Sequence, residues 1–303
     1  MKDVIALNVG SDSEIKCLDH GYVKLIDCMP RFIPDNEETA DHAIAEAARC
    51  SYQRGTKTIA DDKTLIRYLM RHDHTSPFEM IEFKFHCKLP IYCARQMIRH
   101  REASVNELSG RYSEMPEEYH IPDELRCQSQ TNTQGSEGEL DKDTIRALTG
   151  MMNLQAMDDF NFYNRLLQAG VAREQARILL PLSTYTEWYW KIDLKNLLHF
   201  LDLRCDSHAQ KEMQVYANAI LELITPIVPW TIEAWEDYSP YRNGMILTSY
   251  EAEALNEYLS EVEELKKSSR NTELKISDVE IDNKLEKKEW RDKLKDLGID
   301  DRI

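Results

Sequence analysis

Glycine and proline are scarce in this chain, ten of each in 303 residues, and no glycine-rich turn of the GxGxxG or GxxxxGK type occurs. That absence argues against a Rossmann or P-loop nucleotide site. No apolar run approaches the roughly eighteen residues of a membrane-spanning helix. The longest, such as Ile220 to Trp230, is interrupted by Glu222, Thr225 and two prolines. The N-terminus shows no signal-peptide hydrophobic stretch, so a soluble cytoplasmic protein is expected, with no membrane partner. Seven cysteines (Cys17, Cys28, Cys50, Cys87, Cys93, Cys127, Cys205) include no CxxC pair, which argues against a disulfide framework or zinc cluster. Ser109 lacks the GxSxG elbow of an acyl-transfer nucleophile. His72 and His74 flank Asp73, but no third and fourth ligands follow at a metal-site spacing, and no metal is expected. Basic charge is also in deficit: 38 Lys and Arg face 54 Asp and Glu, for a net charge of −16. A general nucleic-acid binder needs a broad basic face and is not expected; a small phosphorylated ligand held by a few arginines remains compatible.

The hydrophobic content of 42% supports a substantial core. Periodicity predicts helices over Asn36 to Ser51 and Asp61 to Arg71, the second with Leu65 and Leu69 on its apolar stripe. Ser76-Pro77-Phe78-Glu79 has the form of a capping box with proline at the first helical position. Ile81, Phe83, Phe85 and Cys87 then alternate with charged residues, a strand with one wet face. Pro90 opens another helix leading into Arg99. Cys87 and Cys93 read as small core hydrophobes. The polar stretch from Cys127 to Asp141 reads as a mobile surface loop. Helices are expected over Thr144 to Leu167, Val171 to Leu180, Asp193 to Leu203 and Ala209 to Ile224, with a strand over Tyr185 to Ile192. The class is α+β, an antiparallel sheet packed with helices. After about Met245, charged residues dominate and a solvated helical extension over 246–303 is expected, beginning with a capping pattern at Thr248.

Against this acidic background, Arg99 to Ser113 holds three arginines, two carboxylates, an imidazole, an amide, three serines and a glycine. Arginine's planar fork of donors suits phosphate or carboxylate. Ser109-Gly110-Arg111 adds a hydroxyl, a close backbone approach and a guanidinium, as an anion site needs. Arg173 and Arg177 are one helical turn apart and can share a face. Arg204 follows an amphipathic helix beside Asp206, Ser207 and His208. These residues point to an anion-binding site, with a salt-bridged solvated surface as the simpler alternative.

Arg99-His100-Arg101, seven residues and then Ser109 resembles the signature of the flavin-dependent thymidylate synthases. His72 to Glu79, Ala94 to Gln96, Arg173 to Pro181 and Leu203 to Gln210 extend the likeness, which spans about residues 20 to 240. The resemblance implies a catalytic domain over 20–245. It implies transfer of a one-carbon unit from 5,10-methylenetetrahydrofolate to dUMP, with FAD as cofactor and NADPH as reductant, giving dTMP without a cysteine nucleophile. By similarity, dUMP would meet Gln96, Arg99, Glu107, Ser109, Gly110, Arg111, Arg177 and Arg204, with Arg204 catalytic. FAD would meet Ser51, Ser76, Arg99, His100, Arg101, Glu107, His199 and His208, together with Asp193 and Lys195, where the family usually has Asn and Arg. The resemblance further implies a homotetramer with shared active sites, an assembly that would bury the aromatic stretch from Tyr185 to Trp190. A related flavin-dependent enzyme that methylates or hydroxymethylates a pyrimidine nucleotide, or a non-catalytic phospholigand-binding scaffold, remains as the alternative.

Overall fold

Alternating apolar and charged residues build the central strand of the main sheet. The computed structural model describes residues 4–7, 14–34, 37–51, 59–130, 135–244, 248–250 and 255. The chain begins with β1 (Val4–Ala6), β2 (Glu14–Cys17), β3 (Gly21–Met29) and β4 (Phe32–Pro34), followed by α1 (Asp41–Arg49) and α2 (Asp62–Arg71). It continues through β5 (Glu82–Pro90), α3 (Ile91–Met97), β6 (Ala103–Glu107), β7 (Arg126–Gln128), β8 (Ser136–Glu139) and α4 (Lys142–Gln168). Last come α5 (Arg173–Ala176), β9 (Tyr185–Asp193), α6 (Leu194–Arg204), α7 (Lys211–Ile224) and α8 (Pro229–Tyr238). The sheet has the order β2-β3-β5-β9-β6, with every neighbouring pair antiparallel. The class is therefore α+β. Residues Met1–Gly244 form one compact unit and Met245–Ile303 a second.

One face of the sheet is dry. Phe83, Phe85, Cys87 and Leu89 of β5 have no exposed surface, and Val23, Leu25, Trp188, Trp190 and Ile192 extend the row across the neighbouring strands. Ile44, Leu65, Met97, Phe200, Tyr216 and Trp235 close over it from the helices. Full burial of one such side chain contributes about 1.5–3 kcal/mol, more than the ~1 kcal/mol of a helix cap, so the dry row sets the fold and the caps trim it. Those caps are nevertheless made: Asp61, Asp141 and Asp193 accept from the backbone N–H three residues on, at 2.7, 2.9 and 2.9 Å. The wet face carries Lys24, His86 and Tyr189 in register, with the His86 and Tyr189 rings stacked at 4.7 Å. Among the described residues no helix is long and apolar enough to cross a membrane.

Several expectations are corrected. The first helix starts at Asp41 rather than Asn36, after a turn in which Glu37 N–H donates to the Pro34 carbonyl; Asn36 itself lies outside the described residues. Ser76 to Glu79 forms no capped α-helix but leads into a 3₁₀ turn over Phe78–Met80, because burial of Phe78 and Ile81 pins both its ends to the core. The polar stretch after Cys127 is not a plain loop. β7 and β8 form a hairpin on cross-strand pairing and on bonds such as Arg126 Nε to Ser136 Oγ (3.0 Å), with little apolar burial, and residues 131–134 lie outside the described residues. Val171 to Leu180 is a single α turn, α5, followed by a 3₁₀ turn at Arg177–Leu179. The aromatic stretch on β9 does not await a partner: Tyr185, Trp188 and Trp190 are buried within the protomer and Tyr189 alone of them is exposed. β6 is a strand that periodicity did not reveal. The helix expected after Thr248 lies mostly outside the described residues, although Ser249, Tyr250 and Leu255 are helical.

Asp41 joins the start of α1 to the start of α8. Its fully buried carboxylate accepts from Trp230 N (2.8 Å), Thr231 N (3.1 Å) and Thr231 Oγ1 (2.5 Å). Burial raises its pKa, and these donors oppose that rise. A buried donor left without a partner costs about 1–3 kcal/mol, so Asp41→Ala, which strands three, is expected to destabilise the fold by at least about 2 kcal/mol. Urea unfolding measures this, and an unchanged midpoint would show that the junction is not needed.

Candidate active site

Arg99, His100 and Arg101 sit where α3 turns into β6. Arg99 N–H and His100 N–H donate to the Gln96 and Met97 carbonyls at 3.3 and 3.1 Å, which ends the helix. β6 then pairs with β9 from Ala103 opposite Ile192 to Glu107 opposite Trp188. Pairing with a buried strand thus fixes both ends of an exposed one. At its first end a cleft of about 290 Å³ opens, lined by Arg99, His100, Arg101, Asn196, His199 and Arg204. Arg204 Nε donates to His100 Nε2 at 3.2 Å. The His100 ring meets Phe200 edge-on at 5.0 Å and lies 6.0 Å from His199. Burial first, then the Arg204 and His199 charges, pull the His100 pKa down to about 4. The imidazole is therefore neutral at ordinary pH, with Nε2 as acceptor and the proton on Nδ1. Burial also lowers the Arg204 pKa. Arg99 and Arg101 form no ion pair among the described residues, in contrast with Arg111 and Arg173.

A second group gathers at the other end of β6. Ser109 starts a turn in which Tyr112 N–H donates to its carbonyl (3.0 Å) and Arg111 N–H to its Oγ (3.3 Å). Gly110 is buried, and a Cβ there would stand 3.0 Å from Met115 Sδ and 3.3 Å from Arg177 Cδ. The Arg177 stem thus lies close over the Ser-Gly-Arg turn, and a Cβ at Gly110 would require it and Met115 to shift by a few tenths of an ångström. Arg111 pairs with Glu174 of α5 at 3.3 Å, both side chains being exposed. Such a pair contributes little and can yield to a bound anion. Glu107 accepts from Thr186 Oγ1 at 2.7 Å.

Other expected residues are engaged elsewhere. Gln96 bonds to Gln210 rather than to an arginine of either group. Asp193 is occupied as the α6 cap, its two oxygens taking Asn196 N and Nδ2 at 2.9 and 2.8 Å. Lys195 Nζ donates to Asn196 Oδ1 at 3.4 Å. Leu194 N–H donates to the Ile81 carbonyl, which brings the start of α6 beside the turn that follows Ser76. Ser51 and Ser76 are exposed, and His208 is held by Asp206 at 2.8 Å. No bond among the described residues joins these three side chains to the cleft. No group of three or more His, Cys, Asp or Glu able to hold a metal occurs among the described residues. A slightly larger cavity, about 320 Å³, opens beside Tyr92, Arg126, Gln210 and Glu212. It lacks the converging cations, so the smaller cleft is the better anion site. Asn196, Thr186, Glu212 and Arg126 were not singled out from sequence; Asn196 belongs to the local cap of α6, whereas the other three are set by pairing with residues distant in the chain.

The family described as thymidylate synthase complementing protein (Thy1) matches residues 32–230. A flavin-dependent thymidylate synthase of Dictyostelium discoideum is 52% identical over 244 residues, covering 80% of this chain and 79% of that protein. One from Thermus thermophilus is 48% identical over 246 residues, 81% of this chain and 86% of its own length. Among solved structures, the UMP/dUMP methylase PolB of Streptomyces cacaoi, bound with 5-Br dUMP, superposes with a TM-score of 0.64 at 30% identity. That match covers 76% of this chain and 100% of the other.

The depressed His100 pKa has a signed consequence. The unfolded imidazole takes up a proton below its ordinary value of 6.5, whereas the folded one resists until about 4. Stability contributed by the neutral Arg204–His100 contact is therefore present above pH 6.5 and lost as pH falls toward 4. Nitrogen-detected NMR is expected to show His100 neutral at pH 5.5, protonated on Nδ1 only. A titration midpoint near 6.5 would contradict the burial argument.

Proposed function

This chain belongs to the flavin-dependent thymidylate synthase family, and from that premise we propose that it converts dUMP to dTMP. The one-carbon unit comes from 5,10-methylenetetrahydrofolate, the reductant is NADPH, and FAD is the cofactor. The observation that carries the reading is the pair of cation groups at the two ends of β6, one around Arg204 and His100 and one around Gly110. The donor set at the first end fits FAD. Arg99 and Arg101 are exposed cations without ion pairs among the described residues, suited to a pyrophosphate, and the His100 and His199 rings offer flat surfaces beside them. Ser51, Ser76 and His208 complete the proposed flavin contacts, with Glu107 shared between flavin and nucleotide. Asp193 and Lys195 contribute less, since both are engaged around Asn196. When bound, FAD supplies the electron transfer that no side chain here can perform.

For dUMP, Ser109 Oγ, the Gly110 backbone, Arg111 and Arg177 form a phosphate cradle. Arg204 would stabilise negative charge that develops at the pyrimidine N3 and so raise electron density at the carbon to be methylated. Its hold on a neutral His100 fixes the guanidinium without cancelling its charge. The four residue steps from Ala103 to Glu107, about 14 Å of strand, separate the two cation groups. The resemblance to the family supports a homotetramer with sites shared between subunits, in which the cradle of one protomer and the Arg204 of another would serve the same nucleotide. α4 offers a surface for such an assembly, with Met151, Leu154 and Phe162 at least half exposed, at 66%, 63% and 50%. Residues 20–245 make up the proposed catalytic unit and 246–303 an extension without chemistry. The proposed setting is cytoplasmic, with small-molecule partners and no nucleic acid.

Cysteine chemistry is poorly served. Burial raises the Cys17 and Cys93 thiols to about 12 and Cys28 to about 11, and it raises Cys205 as well. A second reading, methylation of UMP as well as dUMP, draws on the Streptomyces cacaoi neighbour and is separated by competition between the two nucleotides. The primary test is anaerobic incubation with FAD, NADPH, methylenetetrahydrofolate and dUMP, followed by assay for dTMP. Loss of one preorganised donor typically costs on the order of 100-fold in turnover. Arg204→Ala is expected to be slowed that severely while still holding flavin, whereas Cys205→Ala stays active. A dead Cys205→Ala beside a near-normal Arg204→Ala would overturn the mechanism in favour of a covalent one.

A further inference from the structure

A chain of hydrogen bonds runs from the proposed nucleotide contact Gln96 into the core. Gln96 Nε2 donates to Gln210 Oε1. Gln210 Nε2 donates to Glu212 Oε2 at 2.7 Å, and Arg126 of the β7–β8 hairpin donates from Nη2 to Glu212 Oε1 at 2.7 Å. Arg126 Nε is itself anchored on Ser136 Oγ at 3.0 Å. Glu212 is 7% exposed, whereas Gln210 is exposed and Gln96 half-buried, so polarity is set from the inside outward.

The direction of this chain is chemically forced. A carboxylate only accepts hydrogen bonds, so Gln210 must turn its amide nitrogen toward Glu212. Its carbonyl oxygen then faces Gln96, which must answer with its own amide nitrogen. That leaves Gln96 Oε1 as the outward group. Burial opposes ionisation of Glu212, but the bonds from Arg126 and Gln210 outweigh it and hold the carboxyl below its usual range, so the acceptor persists at ordinary pH.

We propose that Gln210 and Glu212 are positioning residues that present Gln96 Oε1 as a hydrogen-bond acceptor to an N–H or O–H group of the nucleotide. The proposal rests on the reading of this chain as a dUMP-binding enzyme. It gives the hairpin a purpose as well, since Arg126 fixes the inner end of the chain. Neither Gln210 nor Glu212 touches the ligand; both act through Gln96.

A double-mutant cycle tests this on the flavin-loaded full-length protein, with dUMP binding measured by calorimetry. Gln96→Ala and Gln210→Leu are each expected to weaken binding by about fivefold, the size of one typical hydrogen bond. The double variant is expected to bind no more weakly than Gln96→Ala alone, because Gln210 acts only through Gln96. In steady-state assays Gln210→Leu raises KM and leaves kcat nearly unchanged. Gln210 is exposed, so this variant should fold; Glu212→Gln, which permits the amide chain to reverse, is the second probe and is expected to weaken binding likewise. Additive losses, or unaltered dUMP affinity in Gln210→Leu, would overturn the positioning role while leaving the dUMP reading intact. A wild-type protein that does not bind dUMP would overturn that reading and this proposal with it.

Discussion

The pairing of β6 with β9 is the constraint on which the proposed site depends. β6 is a short edge strand with little buried surface of its own, and β9 holds it in register from Ala103 opposite Ile192 to Glu107 opposite Trp188. β9 is fixed in turn by nine paired positions on β5 and by the burial of Trp188, Trp190 and Ile192. A slip of one residue would turn every side chain of β6 to the opposite face and displace both cation groups together. The energy of the dry core is thus converted into the placement of an exposed polar strip. The fold's stability and the site's geometry share one source.

Electrostatics acts at shorter range. The protein is acidic overall, yet its proposed ligands are anions, so attraction has to come from local arrangement. His100 accomplishes this by remaining uncharged: it gives Arg204 a fixed partner without neutralising it, which a carboxylate there would do. At the other end of β6, glycine permits the Arg177 stem to cross the Ser109–Arg111 turn. Among the described residues, the Arg111 side chain is held by an exposed partner, Glu174. The His100–Arg204 pair is half-buried and keeps its positive charge, whereas Arg111 is exposed and paired with an exposed carboxylate. Such a division suits a site that must both select and release a nucleotide.

Much of the fold was legible in the sequence wherever burial imposed a period. β5, β9, α2 and α6 all lie close to their expected limits, because a wet and a dry face leave a clear pattern, and α4 does too although much of its apolar stripe is exposed. β6 left none, since nearly all its residues are exposed and its strand conformation comes from its neighbour. The β7–β8 hairpin was misread for the same reason: polar residues without a core resemble a loop until their cross-strand partners are known. Within the site, the arginines and Ser109-Gly110 stood out as a local cluster. Thr186, Glu212 and Arg126 did not, because each takes a partner 79 or 86 positions away in the chain. The apolar surface on α4 escaped notice too, since its helix is patterned like one that packs on a core.

In the proposed shared site, one nucleotide is served by the Arg111 end of one protomer and the Arg204 end of another. Subunit complementation tests it most directly. Arg111→Ala and Arg204→Ala, each severely impaired alone, are mixed under conditions of subunit exchange, loaded with FAD and assayed for dTMP. If sites are shared, some hybrid sites receive both native arginines, and activity rises well above that of either variant. If the mixture, once exchange is verified by mass spectrometry of the hybrids, is no more active than the separate variants, the two arginines belong to the same protomer's site and the shared arrangement is wrong.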